Sequence, residues 1–160
     1  MNQNLVIRDL HPEDRPAIAS MVRETGFFSE DEIVVALELV DIALTQPGQT
    51  DYYFAVAEQN GRAVGYTCHG LRPLTEGTWD LYWIAVDPRA QRTGAGKALL
   101  EWSEKDVQRR GARMLVCETS GKPLYDPTRK FYLSRGYTED ARIRDFYKPG
   151  DDLVMYIKRF

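Results

Sequence analysis

Apolar and polar positions alternate along the chain with two different periods, and the changes of period mark the elements. Residues 4–9, NLVIRD, form a first short strand. Pro12 then opens a helix in which Ile18, Met21 and Val22 fall on one side, and Gly26 ends it. Ser29 followed by Glu32 has the spacing of a capping box. Behind it, Ile33, Leu37, Val40 and Leu44 recur at helical spacing until Pro47 and Gly48. The period shortens to two in DYYFAVAEQNGRAVGYTCHGLRP, which reads as two strands around the hairpin signal Asn60-Gly61. TWDLYWIAV is a third strand of the same kind. A helix from Ala95 carries Ala95, Ala98, Leu99 and Trp102 on one face and ends at Gly111. ARMLVCE is another strand. Asp126 as N-cap with Pro127 in the first helical position starts a short helix that Gly136 closes. The tail reads as two strands joined at Lys148-Pro149-Gly150-Asp151. The order β-α-α-β-β-β-α-β-α-β-β predicts one α/β domain with a mixed sheet over residues 1–160.

Composition narrows the function classes. The formal net charge is −3, with 43% hydrophobic and 28% charged residues, so the chain has a soluble composition and no basic excess for nucleic acid. The opening segment MNQNLVIRDLHPEDRP is charged and broken by two prolines, which fits neither a signal peptide nor a membrane span. Cys68 and Cys117 form no CxxC pair, and the two histidines lack metal-ligand spacing. The expectation is two free thiols in a reducing cytoplasmic compartment, with no disulfide, no metal and no membrane partner.

The stretch with the sharpest chemistry is DPRAQRTGAGKALL, residues 87–100. It lies where an apolar strand gives way to a helix. Unpaired N–H groups and the positive dipole end at a helix N-terminus attract an anion, and small residues let a phosphate approach the backbone. A Walker A loop is excluded, because Gln91 stands where its first glycine would be and Ala98 follows Lys97. A dinucleotide fingerprint is excluded as well, because Leu99 occupies the third glycine position. Two readings stand on the glycines alone: a tight turn, or a phosphate cradle.

The pattern Gln91-Arg92-Thr93-Gly94-Ala95-Gly96, directly after Ile84-Ala85-Val86 and Asp87-Pro88, resembles the coenzyme A signature of the GNAT superfamily of N-acetyltransferases, Q/R-x-x-G-x-G/A. The segment RKFYLSRGY, residues 129–137, is similar to the helix that carries a Phe-Tyr pair in that family and ends in glycine plus an aromatic residue. The element order agrees with that fold over nearly the whole chain. The resemblance implies a mostly antiparallel sheet of six to seven strands flanked by about four helices. It also implies acetyl-CoA as cosubstrate, without a metal. The pyrophosphate would lie on the backbone of Gln91, Arg92, Thr93, Gly94, Ala95 and Gly96. Lys97 is either a phosphate contact or a solvated charge. Ile84, Ala85 and Val86 on one strand, and Glu118, Thr119 and Ser120 on the next, would hold the pantetheine arm through backbone, with Arg129 also on the cofactor side.

Acetyl transfer to an amine requires a neutral amine, a polarised thioester carbonyl and a stabilised leaving thiolate. By the same resemblance Tyr132 is the general acid near the coenzyme A sulfur, against the alternative of a core aromatic. Asp80, on the strand before the glycine loop, is the matching candidate base, although Asp is shorter than the Glu usual there. Glu38, Glu32 and Tyr82 are reserve candidates for holding the amine. His69, His11 and Cys117 read as structural residues. The acceptor is a primary amine of a small molecule such as an amino acid, or of a peptide or protein N-terminus. It would be walled by Ser29-Glu30-Asp31-Glu32 and by Arg142–Tyr147. A coenzyme-A-sensing domain without turnover, or transfer of a different acyl group, are the alternatives, and a homodimer is compatible with each.

Overall fold

The protein is described over residues 4–160 by a computed structural model. Strands β1 (Leu5–Arg8), β2 (Tyr53–Gln59), β3 (Arg62–Leu71), β4 (Thr78–Val86), β5 (Met114–Ser120), β6 (Thr138–Lys148) and β7 (Asp151–Arg159) alternate with helices α1 (Arg15–Glu24), α2 (Glu30–Thr45), α3 (Ala95–Arg109) and α4 (Asp126–Ser134). The strands form one seven-stranded, mostly antiparallel sheet in the order β1-β2-β3-β4-β5-β7-β6, with β4 and β5 parallel. The chain divides into two units. One holds the described residues up to Gly70 together with Trp83–Asp106; the other holds Leu71–Tyr82 and Val107–Phe160.

In the first unit both faces of β2 are buried. Phe54 and Val56 pack with Ile18, Val22, Ile33, Leu37 and Val40 of α1 and α2, while Ala55 and Ala57 pack with Ala95 and Leu99 of α3. The same alternation sends Trp83 and Ala85 to the α1–α2 side and Ile84 and Val86 to the α3 side. Asn60 and Gly61, at φ 52° and 74°, make the left-handed pair that a two-residue hairpin turn requires. The α2 cap closes reciprocally: Glu32 N–H donates to Ser29 Oγ at 3.2 Å, and Ser29 N–H donates to Glu32 Oε2 at 2.7 Å.

Two buried polar bridges seat α3 on β3. Thr67 Oγ1 lies 3.2 Å from Ser103 Oγ, and His69 Nε2 lies 2.8 Å from Asp106 Oδ2. His69 is enclosed by the rings of Tyr53 and Trp102. These bridges fix the helix whose first turn follows the glycine loop.

Tyr66 presents a contrast within that core. Its side chain is fully buried, and its hydroxyl has no hydrogen-bond partner among the described residues. Burial pushes the phenol far above its ordinary pKa, with the neighbouring Cys68 adding to the effect. A desolvated polar group without a partner costs about 1–3 kcal/mol. Tyr66→Phe keeps the ring stacked on Phe54 and removes that cost. The expected result is an unchanged or higher melting temperature by calorimetry; a clear fall would show that the hydroxyl contributes a stabilising bond.

In the second unit β5 pairs with β7 from Met114↔Arg159 to Ser120↔Leu153, and with β4 from Thr78↔Met114 to Leu81↔Cys117. β6 is the outer strand, exposed along its whole length and irregular between Ile143 and Lys148, where Asp145 takes φ 54°. A 3₁₀ turn at Pro123–Tyr125 precedes α4, so Asp126 is the first helical residue and Tyr125 the cap, one position earlier than the sequence pattern suggested. A similar turn at Pro12–Asp14 precedes α1. In both places the proline's fixed φ is served by a tight first turn.

Candidate active site

The glycine stretch folds into a turn that delivers the chain to α3. Asp87 accepts from Arg89 N–H at 2.8 Å and starts the 3₁₀ turn Pro88–Ala90. Thr93 Oγ1 donates to the Ala90 carbonyl at 2.6 Å, and Arg92 is left-handed at φ 65°. Gly94 has φ 89°, and a Cβ placed on it would meet no atom of the described residues within 4 Å beyond its chain neighbours. Ala95 is buried and anchors the turn, whereas Gln91, Arg92, Gly94 and Lys97 are exposed. Ala98 N–H donates to the Gly94 carbonyl at 2.9 Å, the first bond of the helical ladder. The N–H groups of Ala95, Gly96 and Lys97 precede that bond, so the ladder holds no acceptor for them. Lys97 lies 3.8 Å from Glu101 on the surface of α3.

In the second unit Asp80 is buried and its carboxylate faces Arg72. Arg72 Nε donates to both carboxylate oxygens, at 3.1 and 2.9 Å, and its Nη2 donates to Oδ1 at 2.6 Å. The same Nη2 reaches Glu118 Oε1 at 2.8 Å. Hydrogen bonds to Asp80 first, and to Glu118 second, hold the guanidinium charged far above the range of biological pH. Neither Arg72 nor the Glu118 side chain was singled out in the sequence. The reserve candidates Glu38 and Tyr82 are exposed, and Glu32 is occupied by the α2 cap.

Tyr132 is buried in the same unit, its ring 5.6 Å from Tyr137 and 5.9 Å from Tyr156. Burial, then the proximity of Cys117 and a hydrogen bond shared with its thiol, raise the phenol well above its ordinary pKa. Phe131 is half-buried beside it. Thr119 and Ser120 are buried at the end of β5, and Ser120 Oγ donates to Asp151 at 2.5 Å. Arg129 donates to the carbonyls of Ser120 and Lys122 at 2.7 and 2.9 Å and pairs with Asp126, so its charge is engaged in holding the end of β5. On the bulged part of β6, Phe146 and Tyr147 stand edge to face at 5.0 Å, both exposed.

Comparison with known proteins identifies the family and the fold. Residues 15–137 match the model of the acetyltransferase (GNAT) family. A GNAT-family acetyltransferase fold from Desulfovibrio desulfuricans superposes with a TM-score of 0.93 at 41% identity, covering 98% of this chain and 99% of that one. Two more distant structures share the fold. The ribosomal-protein-S18-alanine N-acetyltransferase of Escherichia coli has a TM-score of 0.72 at 22% identity, covering 98% and 94% of the two chains. PaiA N-acetyltransferase of Thermoplasma acidophilum, solved with coenzyme A, has 0.74 at 20% identity, covering 98% and 99%. In sequence, 107 residues are 29% identical to an uncharacterized N-acetyltransferase of Methanocaldococcus jannaschii, covering 66% of this chain and 65% of that relative's length. The chain belongs to the GNAT acetyltransferase family. Among the described residues, no helix is long and apolar enough to cross a membrane.

Proposed function

We propose that the protein is an acetyl-CoA-dependent N-acetyltransferase acting on a primary amine of a small molecule, or of a peptide or protein N-terminus, by direct transfer. The observation that carries this reading is the loop Gln91–Lys97. It combines an exposed left-handed Gly94 with a helical first turn whose leading N–H groups lie ahead of the ladder. The coenzyme A seen with the Thermoplasma relative suits this loop chemically: backbone N–H groups and the dipole end receive the pyrophosphate, and Arg92 and Lys97 add positive charge.

In the transfer, the bound ammonium first gives up one proton, the neutral nitrogen attacks the thioester carbonyl, the C–S bond breaks, and the second proton on the nitrogen passes to the departing thiolate. Tyr132 stabilises the departing thiolate by donating a hydrogen bond from its phenol. The carboxylates of Asp80 and Glu118 draw the amine and accept its first proton, with Glu118 the member that is open to solvent. The pair with Arg72 carries a net negative charge, which favours a cationic amine over an anionic acceptor. Fold relatives include a ribosomal-protein-alanine acetyltransferase and an aminoglycoside 6'-N-acetyltransferase, so the acceptor panel spans both kinds.

A thiol-detecting assay of coenzyme A release, run with amino acids, aminoglycosides, polyamines and peptides with free N-termini, tests the reading. Release stimulated at least about tenfold over acetyl-CoA alone by one of these classes is expected. Tight acetyl-CoA binding with no release against any amine would instead make the protein a coenzyme-A-binding regulatory domain.

A further inference from the structure

We propose that Arg72 is a positioning residue for the transfer, tying the buried carboxylate of Asp80 to the exposed carboxylate of Glu118 and so fixing Glu118 for the incoming amine. The inference rests on the transferase reading above and extends it to a residue outside both family motifs.

The geometry separates the roles of the three groups. Asp80 lies opposite Val116 in the parallel β4–β5 pair. Glu118 is two positions further along β5, so its side chain leaves the same face of the sheet. Asp80 takes the guanidinium through Nε and Nη2 together, a forked contact. Its negative charge is thereby compensated where water is scarce. Glu118 takes one bond through Oε1, and its side chain is 40% exposed, so it is the outward member of the pair. On β7 the residue opposite Glu118 is Met155, and Ile157 lies opposite Val116. The two residues that β7 places beside Val116 and Glu118 are uncharged.

Arg72 is itself held before any ligand arrives. Its N–H donates to the Thr78 carbonyl at 2.9 Å, and its own carbonyl accepts from Thr75 Oγ1 at 2.7 Å. The tight turn from β3 to β4 thus aims the guanidinium across the start of β4. Without it, two carboxylates would share one face with no counterion, and Glu118 would swing toward solvent. A displacement of about 1 Å at a reacting group costs on the order of 10²-fold in rate.

An ordinary structural ion pair would contain the same bonds, so the experiment must separate the two. Amine-dependent coenzyme A release is measured for the wild type, Arg72→Lys, Glu118→Gln and the double variant, with acetyl-CoA affinity by calorimetry and a melting curve for each. Arg72→Lys keeps a positive charge beside Asp80 and so protects the fold, but one ammonium cannot span both carboxylates in forked geometry. An Arg72→Gln variant would leave Asp80 buried without a counterion, so the lysine variant is the one that is read.

The expected result is a fall in kcat of about ten- to a hundredfold in Arg72→Lys, with acetyl-CoA affinity within about twofold of wild type. In the Glu118→Gln background the same change should add little, because Arg72 acts through Glu118. Unchanged kcat in Arg72→Lys, or losses that multiply in the double variant, overturns the positioning role while leaving the transferase reading intact. A change seen in the melting curve alone does the same. A wild type that transfers to no amine overturns the transferase reading, and the role of Arg72 with it.

Discussion

Gly94→Val is expected to weaken acetyl-CoA binding by at least about a hundredfold while leaving a folded protein. The two halves of that result have separate physical causes. In the free protein a Cβ on residue 94 meets no described atom within 4 Å beyond its chain neighbours, so the main cost lies in the left-handed φ of 89°. For a residue with a Cβ that conformation costs roughly 1–2 kcal/mol. The exposed turn and the buried Ala95 behind it can carry that cost without loss of the domain. With ligand present, the branched side chain projects into the open space beside the first turn of α3, where a phosphate has to come within hydrogen-bond distance of backbone N–H groups. A hydrogen bond to a charged group contributes about 1.5–3 kcal/mol. Losing two of them is worth about 3–6 kcal/mol, which is the hundredfold or more expected. Titration calorimetry with acetyl-CoA, paired with a thermal melt, measures both halves. Gly94→Ala should fall between the wild type and the valine variant, because it shares the backbone strain but projects less far. Undiminished affinity in a folded Gly94→Val protein, or preferential binding of NAD or ATP by the wild type, would remove the phosphate-cradle assignment altogether.

The parts of this protein legible from sequence are those set by local rules. The Asn60-Gly61 turn, the Ser29–Glu32 box and the strand Thr78–Val86 each depend on residues within a few positions of one another, and each is found where the pattern placed it. The start of α4 was misplaced by one residue because Asp126-Pro127 has a good capping pattern. The deciding feature was the 3₁₀ turn begun earlier by Pro123. The turn that leads into α3 was legible because it is carried by consecutive residues. The carboxylate cluster was not. Arg72 and Glu118 are joined by a bond across 46 positions, and no local period marks Arg72 as anything but the polar end of a strand. Tyr132 could be singled out from its motif, whereas its thiol neighbour Cys117 is set by the register that brings α4 against β5. The same holds for His69 and Asp106, 37 positions apart, where a strand histidine finds its partner only after α3 has packed.

Tyr132→Phe is expected to lower the rate of acetyl transfer by roughly 10²-fold, near the lower end of what a general acid contributes, with acetyl-CoA affinity almost unchanged. Burial and the Cys117 neighbour hold the phenol well above its ordinary value of 10.0. The sign matters for the mechanism. A raised value keeps the hydroxyl neutral and able to donate through neutral and moderately alkaline pH, so the wild-type rate should show no loss from Tyr132 ionisation below about pH 10. It also makes complete proton release less favourable, while a thiol of pKa about 8–9 is a competent leaving group without it. The phenol therefore assists chiefly by donating a hydrogen bond to the developing thiolate, a weaker contribution than full proton transfer. Removing the hydroxyl keeps the ring packed against Tyr137 and Tyr156 and deletes only a bond to a thiol, a weak partner, so the melting temperature should move little. Product release can mask chemistry in steady state, which makes single-turnover transfer from bound acetyl-CoA to a saturating amine the measurement to make. An unchanged single-turnover rate would make Tyr132 a packing residue of the aromatic cluster. A large loss of acetyl-CoA affinity with a normal transfer rate would place its hydroxyl in ground-state binding instead.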